Sequence, residues 1–214
     1  MKTSQRLIQF FSWATLFLLQ VYFNLNPTQN EWLRITVLTS YMLIVSTTWI
    51  RFVEQRPLLQ RLNLNQQTLI LFTYSLLASI VVLFSKQNFA TAALIAGGSM
   101  ILPVFEELYF RAFLLGSVSF NWPSVKTMNI QNRNNFLREG LAYLILTSLG
   151  FALVHDDVIQ TLLINAPLNI NYTILFLRFL FGFTIGGLYY YTRNFVVTSV
   201  FHIIYNLTYI IAHI

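Results

Sequence analysis

The sequence predicts an all-α protein: a polytopic transmembrane helix bundle of about seven spans. Three observations point there. The chain has 214 residues, of which 56% are hydrophobic and only 9% charged, with twenty phenylalanines. Its apolar residues come in continuous runs near the 17–25 residues that cross a bilayer. Those runs do not alternate, so they are not barrel strands, and lipid leaves the backbone no partner outside a helix or a closed barrel.

The runs are read in order as Leu7–Leu25, Leu33–Trp49, Thr68–Ser85, Phe89–Phe120, Leu141–His155, Tyr172–Thr192 and Phe195–Ile214. The first is too long for a signal peptide, and Asn24, Asn26 and Pro27 follow it where small residues would mark a cleavage site. The fifth is short for a full crossing. Val158–Ala166 reads as a short interfacial or re-entrant helix, which would make an eighth element. The whole chain, 1–214, reads as one domain without internal repeats, its motif core at 102–206.

The net charge of +6 does not point to nucleic acid, because the basic residues are spread among connections. They alternate instead. Lys2 and Arg6 precede the first run. Arg51, Arg56 and Arg61 follow the second, Lys126, Arg133 and Arg138 the fourth, and Arg193 the sixth. The other connections hold few, such as Arg34 and Lys86. Basic loops face the cytoplasm. The N-terminus is therefore expected inside a cell membrane, and with seven spans the C-terminus outside. No cysteine is present, so disulfides and thiolate metal sites are excluded.

Three polar intrusions break the apolar runs. The first is Glu106, Glu107 and Arg111 in "LPVFEELYFRAFLL". A charge near the bilayer centre costs roughly 2.5–3.5 kcal/mol on insertion scales. Glu107 and Arg111 are four apart and share a helix face, which makes them an ion pair. Glu106 is turned about 100° from Glu107 and is expected to face a cavity. Pro103 removes a helical hydrogen bond and should kink this helix. Gly97, Gly98 and Ser99 allow close packing against a neighbour.

The second intrusion is "GFALVHDD", with Phe151 and His155 on one face. The third is "VFHIIYNLTY", with His202 and Asn206 one turn apart. Each alone has a bland reading. The three acidic and basic residues make a neutralising cluster, His155 an interfacial residue, and His202 and Asn206 interhelical hydrogen-bond partners. Together, on three helices, they are expected to meet round one internal cavity, because an intramembrane ionisable cluster marks a functional site.

A glutamate beside a histidine can deprotonate water. A second histidine and a carboxamide can donate to a developing oxyanion. That combination describes amide hydrolysis without a covalent nucleophile, and no serine sits in a Gly-x-Ser-x-Gly context. A zinc ion held by glutamate and two histidines is the alternative, although no HExxH is present. The reading is metal-free, with no cofactor. Two further readings stay open: a non-catalytic membrane scaffold or immunity protein, and a proton-coupled transporter. The latter would need inverted repeats or paired broken helices.

The motifs "EELYFR", "FALVH" and "HIIYN" resemble the EExxxR, FxxxH and HxxxN pattern of the CAAX protease and bacteriocin-processing (CPBP, or Abi-type) membrane proteins. These include the type II CAAX prenyl endopeptidases. The stretch Phe179–His202 is similar to that family's glycine-bearing helix, turn and last helix. The resemblance implies that Glu106 is the base on water and that His155 holds the water beside it. It implies an oxyanion hole of His202 and Asn206, with Glu107 and Arg111 in support behind them. The expected substrate is a peptide or membrane-protein partner within the bilayer. Asn-rich loops and high Phe and Ile content point to a bacterial source, where self-immunity to a bacteriocin is the expected setting and prenylated CAAX proteins are not.

Overall fold

The computed structural model describes residues 3–25, 31–55, 97–116, 129–135, 139–155 and 172–212. Every regular element among them is helical. We number them α1 (Thr3–Leu25), α2 (Glu31–Thr48, continued by a wider π-type turn Trp49–Val53), and α3 (Gly97–Ile101, Leu102–Glu107 and Leu108–Leu115 in succession). There follow α4 (Ile130–Asn135), α5 (Leu141–His155), α6 (Tyr172–Thr192) and α7 (Phe195–Ala212). The expected runs Thr68–Ser85 and Val158–Ala166 lie outside the described residues.

Among the described residues, three helices are long and apolar enough to cross a membrane: Gln5–Phe23, Trp32–Val53 and Tyr172–Thr192. Leu141–His155 and the apolar part of α7, Phe195–Asn206, are shorter. The first two helices extend past their apolar runs, so Arg51 lies on the last turn of α2 rather than in a loop.

The bundle buries small polar groups among its apolar core, while other large apolar side chains stay exposed. On α1, Gln9 and Ser12 are buried, while Leu7, Ile8, Phe10, Phe11 and Leu18 are exposed. Ser46, Ser148, Thr198 and Ser199 are buried too. Lipid is as apolar as leucine, so helices gain little by hiding apolar side chains from it. They associate through close packing and interhelical hydrogen bonds. Ser12, Tyr41 and Tyr109 form such a knot across α1, α2 and α3. The Ser12 hydroxyl is 2.8 Å from that of Tyr109, and Tyr41 donates to the Ser12 carbonyl at 2.8 Å.

Glycines set the closest approaches. A Cβ on Gly182 of α6 would stand 3.3 Å from the Ser148 Cα and 3.3 Å from the Phe151 ring, both on α5. Gly97 likewise meets Trp32 of α2, at 3.4 Å from where its Cβ would be. Gly98 faces open space, so of the paired glycines only Gly97 serves packing.

Pro103 is buried at the start of the Leu102–Glu107 segment, with π-type winding on both sides, Gly97–Ile101 and Leu108–Leu115. The irregularity expected at the proline takes this form. A wider turn absorbs the missing N–H, and such turns are frequent at functional sites. Between α6 and α7 the chain reverses at Arg193, whose backbone takes φ 56°. Its N–H bonds the Tyr189 carbonyl at 2.7 Å, a left-handed helix ending. Asn194 then caps α7, its side-chain oxygen accepting from the Val196 N–H at 3.0 Å. This tight reversal brings His202 back beside α6.

Candidate active site

Glu106 and Glu107 are adjacent on α3 and turned apart about the helix; each has a partner of its own, His155 and Arg111, and they share His202. Glu106 is buried and meets His155 at the end of α5: His155 Nε2 lies 3.0 Å from Glu106 Oε1. His202 of α7 comes from the other side, with its Nε2 at 3.6 Å from Glu106 Oε2. The carboxyl group of Glu106 is thus flanked by two imidazoles from helices far apart in the sequence.

The tautomers follow from the second partner of each ring. His155 Nδ1 is 2.7 Å from the Phe151 carbonyl, which can only accept, so Nδ1 carries a hydrogen. The contact between Nε2 and Glu106 then needs a proton of its own, held on one side or shared. The i, i+4 relation of Phe151 and His155 therefore fixes the ring through the helix backbone. The aromatic ring of Phe151 lies against it, centroids 4.1 Å apart. His202 is held the same way by a side chain: its Nδ1 is 3.1 Å from Glu107 Oε1.

Glu107 is fully buried and also pairs with Arg111, whose Nε is 3.3 Å from Oε2. This is the ion pair expected from spacing, and neither side chain reaches solvent. The second partner, His202, was not expected. Arg111 stacks over the Phe151 ring at 5.3 Å from guanidinium carbon to centroid. Its two terminal nitrogens have no hydrogen-bond acceptor among the described residues.

A cavity of about 360 Å³ opens beside this cluster. His155, His202 and Asn206 line it, with Ser99 of α3 and the rings of Phe181 and Tyr205. Asn206 stands one turn beyond His202 and reaches the site as part of this wall. His155, His202 and Asn206 share this wall, whereas Glu106, expected to face a cavity, contacts both histidines but is not itself a lining residue. Glu107 and Arg111 do not line the cavity either. Among the described residues no group of three or more His, Cys, Asp or Glu side chains forms a metal-holding set.

One charged residue of the wall escaped the sequence reading. Arg178 of α6 lines the cavity and donates from Nη1 to the His155 backbone carbonyl. An arginine in the middle of "YTILFLRFLFGF" is an intramembrane charge, and that rule would have found it. The apolar wall residues Ile174, Leu177 and Phe181 carry no such signal, because any membrane helix is rich in them.

The sequence profile of a family described as type II CAAX prenyl endopeptidase Rce1-like matches residues 86–208, a stretch containing every residue of the cluster. No curated protein and no solved structure matches the chain.

Proposed function

The chain belongs to the type II CAAX prenyl endopeptidase Rce1-like family, and from that premise we propose that it hydrolyses a peptide bond within the membrane, using water activated by Glu106. The observation that carries this reading is that the Glu106 oxygens lie 3.0 and 3.6 Å from two imidazoles, His155 and His202, which both line a cavity.

Glu106 takes a proton from the water as its oxygen attacks the carbonyl carbon, and His155 Nε2 holds the carboxylate and the water in line. The carbonyl oxygen becomes negative and accepts hydrogen bonds from His202 Nε2 and the Asn206 amide. With Nδ1 donating to Glu107, a donor at Nε2 means a ring carrying both hydrogens. Glu107 is paired with Arg111, so the Glu106 carboxylate before proton transfer and the oxyanion after it offset the charge of this ring. As the C–N bond breaks, Glu106 passes its proton to the leaving amine. Buried at the membrane, these dipoles need no reorganisation at the moment of reaction. No metal or other cofactor enters this scheme. A zinc ion on the same residues is the competing account.

The substrate is a peptide or membrane-associated protein, with self-immunity to a bacteriocin as the biological setting in a bacterial cell membrane. The N-terminus lies on the cytoplasmic side, following the alternation of basic residues. The Arg6 guanidinium lies 6.0 Å from the Tyr143 ring, so the first turns of α1 and α5 share one side, as that alternation requires.

The test is cleavage by the purified protein in liposomes, read by mass spectrometry on lipidated and unlipidated peptides. Products should appear with wild type, persist with a zinc chelator, and vanish for Glu106→Gln. Proton flux without cleavage would give the transporter reading instead. Cellular function kept by Glu106→Ala, His155→Ala and His202→Ala would give the scaffold.

A further inference from the structure

A second cavity, of about 330 Å³, lies between α1 and α5, away from the catalytic cluster. Its volume falls in the roughly 300–1,000 Å³ range of small-molecule sites. Arg6 and Gln9 of α1, with Tyr143 of α5, supply polar side chains toward the start of both helices, and Thr147 further along α5 turns its hydroxyl to the Tyr143 and Leu144 carbonyls. Beyond them the walls are Trp13, Leu146, Leu149, Leu153 and Gly150. Phe10, Leu146 and Leu149 at its edge are exposed, at 59%, 61% and 41%. In a spanning bundle that surface faces lipid. Gly150 matters to its shape, since a Cβ there would lie 2.8 Å from the Trp13 indole nitrogen. Trp13 can settle against α5 and leave the groove open only because that position has no side chain.

We propose that this groove binds one anionic phospholipid, its acyl chain lying along Trp13, Leu146 and Leu149 and its phosphate on Arg6. The occupant follows from the layout. An apolar trough at hydrocarbon depth rejects water and accepts a chain. A permanent cation at one end only selects a molecule that is charged at one end only. Arg6 is exposed and already aligned over the Tyr143 ring, which leaves its guanidinium edge for phosphate oxygens. The orientation proposed above puts this end at the cytoplasmic leaflet, where anionic lipids concentrate. A lipid there braces α5, whose far end carries His155. The binding itself does not depend on whether the protein is a peptidase.

The experiment is lipid retention. The full-length protein is taken from vesicles of phosphatidylcholine mixed with phosphatidylglycerol, and bound lipid is identified by native mass spectrometry. One arginine near the surface favours an anionic lipid about fivefold. Wild type should therefore retain phosphatidylglycerol over phosphatidylcholine by about that factor. Arg6→Ala should lose the preference, Arg6→Lys should keep it, and Leu149→Trp, which fills the trough, should lose both lipids. Equal retention of the two lipids by wild type, or an undiminished preference in Arg6→Ala, would overturn the proposal. Peptide cleavage is not needed for the readout, so a failure here is distinguishable from a failure of the peptidase reading.

Discussion

Glu107 Oε1 lies 3.1 Å from His202 Nδ1 although the two residues are 95 positions apart. The same carboxylate faces Arg111 through its other oxygen. A local pair one helical turn long is thereby joined to a tertiary contact that sets the angle of an imidazole in the cavity wall. Position 107 is thus both a neutralising partner and the orienter of His202.

Removing either charge of the buried pair strands the other. Arg111→Met and Glu107→Gln should each lower stability by about 3–5 kcal/mol, seen as less folded protein and a lower unfolding temperature in detergent. The double variant Glu107→Gln/Arg111→Met should cost clearly less than the sum, because no charge is left buried alone. Additive losses would mean that the two side chains do not act as a pair.

Glu106→Gln keeps shape and packing but cannot take a proton. Cleavage should fall by at least about a hundredfold, with the unfolding temperature near wild type. Turnover close to normal in this variant would remove Glu106 as the base.

Asn206→Ala deletes one donor proposed for the oxyanion. The expected change is a loss of about 10²–10³ in kcat with KM little altered, since the interaction forms in the transition state. A rise in KM at constant kcat would move Asn206 from oxyanion stabilisation to substrate binding.

Arg178 holds the backbone at His155 from α6. Arg178→Ala should lower kcat by roughly ten- to a hundred-fold through a displaced imidazole, and Arg178→Lys should recover part of it. An Arg178→Ala enzyme of full kcat would show that the end of α5 holds His155 without help.

At Gly182 the nearest atoms of α5 are the Ser148 backbone and the Phe151 ring. Gly182→Ala should cost about 1–3 kcal/mol by overpacking, and Gly182→Leu should separate α5 from α6 and abolish activity. Unchanged unfolding of Gly182→Leu would show that the two helices are free to part.

Much of this site was legible in the letters because membranes make charge conspicuous. Glu106, Glu107, Arg111, His155 and His202 stand out in apolar runs, and an ionisable side chain in lipid needs a reason. The i, i+4 rule gave the Glu107–Arg111 pair, and rotation by about 100° gave Glu106 a different outlook. Arg178 went unnoticed although it obeys the same rule, because it belongs to no motif. The ends of α1 and α2 also ran beyond their apolar stretches, since a helix continues past the lipid while its backbone bonds are met.

The sequence by itself determined the helical class, the ionisable side chains that stand out in apolar runs and the local pair on α3. All of these depend on composition or on neighbours a turn away. Tertiary structure alone decided that His155 meets Glu106, that Glu107 rather than solvent fixes His202, and that Arg178 closes the end of α5. Such contacts join helices many positions apart. Their geometry is set by how closely Gly182 and Ser148 let two backbones approach and where Arg193 turns the chain. No periodicity along one helix encodes the distance to another.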